Sequence, residues 1–132
     1  MNVAVSFNWS EIGKAFKQDE KLCFPTAPEA PGIYQFNIRE KIYVGETVKL
    51  RRRFQHYRTP GSSQRTNVRI NQSILEALND GFEITVNIIE QAKIIVYGIE
   101  SSLDLSKKSG RLLVESAVLS NAHLSGQNVE NL

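Results

Sequence analysis

Two short runs rich in β-branched and aromatic residues lie almost back to back, Gly32–Ile38 (GIYQFNI) and residues 41–46 (KIYVGE). Residues of these types fit a pleated, half-buried surface. The polar stretch 37–41 between them reads as a hairpin turn. A tight hairpin in mid-chain constrains everything else, because its strands must find neighbours and its faces must be covered.

The flanking segments supply candidates for both. Ser10 is placed to cap a helix with Ile12, Ala15 and Phe16 on one face, and Trp9 precedes that cap. Pro25, Pro28 and Pro31 then break any helix, so residues 1–30 are expected to be an N-terminal helix and connector. Thr47 is a good N-cap for a helix running to about Tyr57, with Leu50 and Phe54 inward. Residues 59–66 (TPGSSQRT) read as a loop. Asn67 is placed to cap a second helix with Ile70, Ile74, Leu75 and Leu78 apolar, ending at Gly81. Residues 82–89 form a candidate strand, 92–97 a further one, 98–105 a turn region, and 106–123 a last helix. Strands and helices that do not alternate regularly imply an α+β fold, with a small central antiparallel β-sheet flanked by helices. Residues 31–132 are expected to form one globular unit, since 132 residues lie within the usual size of a single domain.

Composition narrows the class further. Hydrophobic residues at 41% and charged residues at 23% are globular values. One cysteine, Cys23, excludes an internal disulfide framework and a cysteine-based zinc site, and fits a reduced cytoplasmic setting. The first ten residues lack a basic and then apolar leader, and no apolar run approaches the ~20 residues of a membrane span.

The net charge of +2 conceals an asymmetry. Residues 47–75 hold seven basic residues and no acidic one, leaving nine basic against fourteen acidic residues elsewhere. A field of that kind attracts polyanions, phosphate backbones above all, although a solvated helix face has the same composition. Within the segment Lys49, Arg53 and Tyr57 share one helical face. A guanidinium beside phenols is a reasonable phosphate clamp. Tyr34 and Tyr43 lie on the two hairpin strands, where pairing of positions near Ile33 and Gly45 brings both to one patch. Strand tyrosines serve packing in most proteins, so this patch alone decides nothing.

Glu115 is the residue least suited to its surroundings. It lies in LLVESAVL, with Val118, Leu119 and Ala122 as its nearest angular neighbours. A carboxylate in an apolar stripe is costly unless it is paired, reaches water or binds a cation. His56 and His123 are isolated, and the chain has no Ser–His–Asp signature, P-loop or dinucleotide fingerprint.

Taken together these residues resemble the GIY-YIG nuclease family. Gly32-Ile33-Tyr34 and Tyr43-Val44-Gly45 match its two name-giving triplets, and YVGETVKLRRRFQHY continues the match through Arg53 and Tyr57. This run is similar to the repair-type nuclease domain at the N-terminus of the UvrC excision-repair protein. Homing members carry histidine at the Tyr57 position. Glu115 falls on the late helix where the family has its metal-binding glutamate, and Asn128 follows thirteen residues later near the family's asparagine. Asn121 and Asn131 are alternatives for that residue, and the stretch 92–105 looks like an addition to the minimal fold.

The resemblance implies a divalent-metal-dependent endonuclease that hydrolyses DNA phosphodiester bonds. The substrate is then single-stranded or structured DNA, or duplex DNA, and a non-catalytic nucleic-acid-binding module is the alternative. Glu115 would hold Mg²⁺, with Mn²⁺ able to substitute, since Mg²⁺ keeps several waters and takes one or two carboxylates. Tyr34 would act as general base, its phenol lowered by Arg53 and the metal, and Tyr43 would orient water or phosphate. Arg53 would balance charge at phosphorus, Tyr57 would support Tyr34, and Asn128 would hold the site's packing. Lys49, Arg52, Arg58, Arg65, Asn67 and Arg69 would meet the nucleic acid. No membrane partner is implied, and some family members dimerise.

Overall fold

The structure is a computed structural model and describes residues 2–132. The expected hairpin forms from β4 (Gly32–Ile38) and β5 (Lys41–Thr47), antiparallel, with Gly32 opposite Thr47 and Ile38 opposite Lys41. Arg39, at φ +59°, turns the chain between them. Strand alternation divides the hairpin into two faces. Tyr34, Phe36 and Tyr43 point to one side, and Ile33, Ile42 and Val44 to the other.

The first face is covered by α1 (Leu50–Arg58) and α2 (Arg65–Asn79). Leu50, Phe54 and Tyr57 recur at the spacing that keeps one side of α1 inward, and Ile70, Ile74 and Ala77 do so on α2. The second face is covered by α3 (Lys108–Leu124), through Val114 and Val118. The N-cap of α1 is Lys49 and not Thr47, and Thr47 Oγ1 accepts the Lys49 N–H one step earlier, at 3.2 Å. The amides of Leu50 and Arg51 donate instead to the carbonyls of Ala30 and Pro28. The proline-rich connector thereby satisfies donors that a helix N-terminus otherwise leaves to a cap or to water. Likewise α2 begins two residues before Asn67, whose side-chain amide donates to Gln64 Oε1 within the first turn.

The chain before the connector corrects the expectation most. No helix forms on Ser10. Residues 3–23 are three strands, β1 (Val3–Phe7), β2 (Ser10–Gln18) and β3 (Lys21–Cys23). The larger sheet has six strands in the order β3-β2-β6-β4-β5-β9, where β6 is Ile84–Ile89 and β9 is Asn128–Asn131. It is antiparallel except for β5 against β9. A bulge between Glu11 and Gly13, with Gly13 at φ +137°, adds one residue to β2. That extra residue puts Ile12 on the same side as Ala15, both against the core beneath α1 and α2. The three-residue spacing that mimics a helix is the product of the bulge.

A second sheet, β1-β7-β8, is formed with β7 (Ala92–Val96) and β8 (Ile99–Ser102). Residues 99–102, expected within a turn region, are therefore a strand that follows a two-residue reversal at Tyr97 and Gly98, both at positive φ. Only Asn8 and Trp9 separate β1 from β2, and only Glu90 and Gln91 separate β6 from β7. The two pairings therefore make one antiparallel ribbon that passes from the larger sheet into the smaller.

One contact ties the hairpin register to the position of Tyr34. Gly45 lies directly opposite Tyr34, and any Cβ there would occupy the space of the Tyr34 phenol oxygen and its ring. Gly45→Ala is expected to destabilise the protein by about 1–3 kcal/mol, the usual cost of overpacking. Combined with Tyr34→Ala, itself destabilising, the two losses should be less than additive, and urea unfolding of the single and double variants measures the coupling.

Candidate active site

The strand β9 pairs with β5 only from Lys41 to Val44. Past that point the edge of β5 is open at Gly45 and Glu46, and groups from both faces of the sheet converge there.

From the first face come Tyr34, Tyr57 and Arg53. The hydroxyls of Tyr34 and Tyr57 share a buried hydrogen bond of 2.7 Å, with ring centroids 6.0 Å apart in an edge arrangement. Phe54 meets Tyr34 edge-on at 5.5 Å and holds the ring in place. Arg53, one turn before Tyr57 on α1, brings its guanidinium near both phenols. Burial nevertheless pushes the Tyr34 phenol well above its ordinary value, and Arg53 opposes that only in part. The Tyr57 phenol is also raised, chiefly by burial. Arg53 alone therefore does not lower the Tyr34 phenol below its ordinary value, and without an added cation Tyr34 is neutral at neutral pH.

From the second face come Glu46, Arg111 and Glu115. Glu115 is 6% exposed. Its Oε2 is buried without a hydrogen-bond partner among the described residues. Burial raises its carboxyl above the ordinary range, the Glu46 charge adds to that, and the Asn131 side chain and Lys108 oppose it. Arg111, one turn before Glu115 on α3, does not pair with it. Its Nε donates to Glu46 Oε2 at 2.6 Å, and its Nη1 donates to the carbonyls of Leu105 and Ser106, both at 3.1 Å. A cleft beside this group is lined by Glu46, Thr47, Val48, Arg52, Arg53, His56, Lys108 and Arg111. Four lysine or arginine side chains bordering a carboxylate pair give the cleft a positive wall, suited to a phosphate group.

The other expected residues are more scattered. Tyr43 lies on the same face as Tyr34, but the Phe36 ring stands between them, at centroid distances of 6.1 and 6.0 Å. Its neighbours are Lys41, 5.6 Å over its ring, and the Arg69 side chain. Arg69 and Lys41 both bind Glu130, whose carboxyl they hold below the ordinary range. Arg69 is thus already engaged. Arg58 lines a different pocket, with Cys23, Phe24 and Phe54. Lys49 and Arg65 are exposed at the starts of their helices, and Asn67 is held by Gln64. Asn128 stands at the far end of β9, opposite Lys41, in a depression with Arg39, Ser73 and Glu76. The asparagine that reaches Glu115 is Asn131, and Asn121 is exposed on α3.

Three residues of the site, Glu46, Lys108 and Arg111, were not singled out from the sequence. Lys108, Arg111 and Glu115 recur at i, i+3 and i+7, one face of a helix, so the spacing to find them was present. Glu46 follows the second triplet directly and alternates onto the α3 face. Among the described residues no cluster of three or more His, Cys, Asp or Glu side chains is placed to hold a metal. A divalent ion here would depend on Glu115, on water and on substrate oxygens. The bare Oε2 of Glu115 and its buried carboxylate chemistry fit such an ion.

No family model matches the chain, and no curated protein or solved structure was found to match it. Among the described residues no helix is long and apolar enough to cross a membrane.

Glu115→Gln is expected to stabilise the metal-free protein, because it removes a buried charge with a bare oxygen. The gain should be on the order of 1–3 kcal/mol in urea unfolding with EDTA present. The raised Tyr34 phenol has a second consequence. The unfolded chain binds fewer protons than the folded one once the pH exceeds the ordinary tyrosine value of about 10. The stability it contributes is present below that value and declines as pH rises towards the folded one. Tyr34→Phe should therefore lose less stability than the wild type between about pH 9 and 11, the interval around the ordinary tyrosine value, as measured by thermal unfolding.

Proposed function

We propose that the protein is a divalent-metal-dependent endonuclease that hydrolyses DNA phosphodiester bonds, acting on single-stranded or structured DNA. The observation that carries this reading is the buried, unpartnered Glu115 carboxylate oxygen beside a cleft walled by Arg52, Arg53, Lys108 and Arg111. The likeness of the two triplets, Arg53, Tyr57 and Glu115 to GIY-YIG nucleases supports it.

Each side chain has a part that its position suits. Glu115 would hold Mg²⁺ or Mn²⁺, and the ion, when bound, supplies Lewis-acid stabilisation to the departing 3′ oxygen. Arg53 faces the same cleft from α1 and is placed to share charge with the non-bridging oxygens at phosphorus. Tyr34 and Tyr57 share one hydrogen bond, so at any moment one hydroxyl proton is free to donate elsewhere. A neutral Tyr34 would orient the attacking water through that hydroxyl. It would take up a proton-accepting role only where added positive charge in the cleft offsets its burial. Arg52 and Lys108 would hold the flanking phosphates. Tyr43, Lys49, Arg58, Arg65, Asn67 and Arg69 lie outside the convergence point, with Tyr43 buried in the core and Arg69 bound to Glu130.

Labelled single-stranded, flap and duplex DNA incubated with Mg²⁺ or EDTA provides the test. Cleavage should require the metal. Glu115→Ala and Arg53→Ala should each reduce the rate by on the order of 10²–10³-fold, the usual loss when one charge-stabilising group is removed. Salt-sensitive DNA binding with no cutting in either Mg²⁺ or Mn²⁺ would leave a nucleic-acid-binding module and end the catalytic reading.

A further inference from the structure

Two carboxylates meet at the open edge of β5, and one cation is given to only one of them. Arg111 spends its Nε on Glu46 and its Nη1 on the carbonyls of Leu105 and Ser106 at the entrance to α3. The Glu46–Arg111 pair is itself largely buried, with side chains 18% and 9% exposed. Glu115, one turn further along α3, is left with a buried oxygen that nothing satisfies. Glu46 is near enough for its charge to act on Glu115. Two adjacent carboxylates of which only Glu46 is held in an ion pair, while Glu115 keeps a buried bare oxygen, are an unfavourable arrangement for the folded chain alone. It becomes favourable when a further cation enters between them.

We infer that Glu46 is a second carboxylate ligand for the divalent ion held by Glu115, and that Arg111 is the positioning residue that fixes Glu46 toward it. The inference rests on the nuclease reading for the presence of that ion, and adds to it a residue and a coordination set. Two carboxylates with the remaining positions filled by water or phosphate oxygens suit Mg²⁺ and Mn²⁺, which are hard and accept oxygen donors. The geometry gives Arg111 a further task. By bonding Glu46 Oε2 from the same helix that carries Glu115, it ties the β5 ligand to the α3 ligand. Fixing a ligand through its hydrogen-bond partner is how outer residues tune metal affinity. The competing account makes Glu46 only the counter-charge that allows Arg111 to be buried.

Mn²⁺ binding without DNA separates the two accounts. Wild type, Glu46→Gln, Glu46→Asp, Glu115→Gln and Arg111→Gln are each titrated with Mn²⁺ by calorimetry, with free Mn²⁺ followed by its paramagnetic resonance signal. Melting temperatures in EDTA show that each variant is folded. Wild type should bind one Mn²⁺. Glu46→Gln and Glu115→Gln should each weaken binding roughly tenfold or more, and Arg111→Gln by a similar factor through misplacement of Glu46. Glu46→Asp keeps the charge and so serves where Glu46→Gln does not fold; its shorter stem should weaken Mn²⁺ binding without removing it. A purely structural role predicts wild-type affinity in every folded Glu46 variant. If DNA is cut with Mg²⁺ and folded Glu46 variants bind Mn²⁺ as the wild type does, the inference is overturned and the nuclease reading stands. If DNA is not cut but Mn²⁺ binding needs both glutamates, the two-carboxylate site stands and the nuclease reading falls. Absence of Mn²⁺ binding by the wild type overturns the inference.

Discussion

The placement of the Tyr34 ring against Gly45 determines much of the site. A strand normally presents a side chain at every second position, and here that side chain is missing where the phenol must lie. The ring therefore lies flat against β5 and its hydroxyl reaches Tyr57 on α1. This contact fixes α1 relative to the sheet, and with α1 it fixes Arg53. A shift of the hairpin register by one residue would set Val44 or Glu46 opposite Tyr34. It would also reverse the two faces, placing Tyr43 and Tyr34 on opposite sides of the sheet. Core packing and site assembly thus depend on the same pairing.

The second constraint is electrostatic. The acid-free segment 47–75 suggests a single basic surface, but folding distributes its charges unequally. Arg51 is tied to the Ala27 carbonyl and to Glu29 across the connector, and Arg69 is tied to Glu130. Arg58 faces away from the open edge of β5. Arg52 and Arg53 remain at the cleft, and α3 contributes Lys108 and Arg111 from a different part of the chain. A run of like charges in sequence becomes a few cations at one place in space, and half of the positive wall comes from outside the run.

What the sequence made legible follows from the range of the interactions involved. The hairpin, α1 and α3 depend on local periodicity, and their inward residues Leu50, Phe54, Val118 and Ala122 were readable from it. Tyr34, Arg53, Tyr57 and Glu115 were singled out through motif spacing, and the fold brings these four near one point. The strand β2 was not legible, because the bulge at Ile12 gives a strand the three-residue spacing of a helix. The strand β9 was not legible either. It is four residues long, and its pairing with β5 is parallel and distant in sequence. Without that pairing, nothing in the sequence decides between Asn128 and Asn131, which lie three positions apart and therefore on opposite faces and at opposite ends of the strand.

The arrangement around Glu115 is poor by the standards of stability and sensible by those of binding. A chain selected only to fold would place leucine or methionine at this position in α3, where Val114 and Val118 already pack. It would also have no reason to bring Glu46 alongside and then commit the single nearby buried arginine to Glu46. If a cation binds there as proposed, the free energy held in the unpaired carboxylate would be recovered on binding and would add to the affinity for that cation. The same reasoning accounts for the neutral phenols. Tyr34 and Tyr57 satisfy each other when the cleft holds no added charge, so the metal-free protein tolerates their burial. Only the carboxylate side of the site is left unsatisfied, and in the proposed function that is where the cation would enter, with Arg53 on the opposite wall for the phosphate.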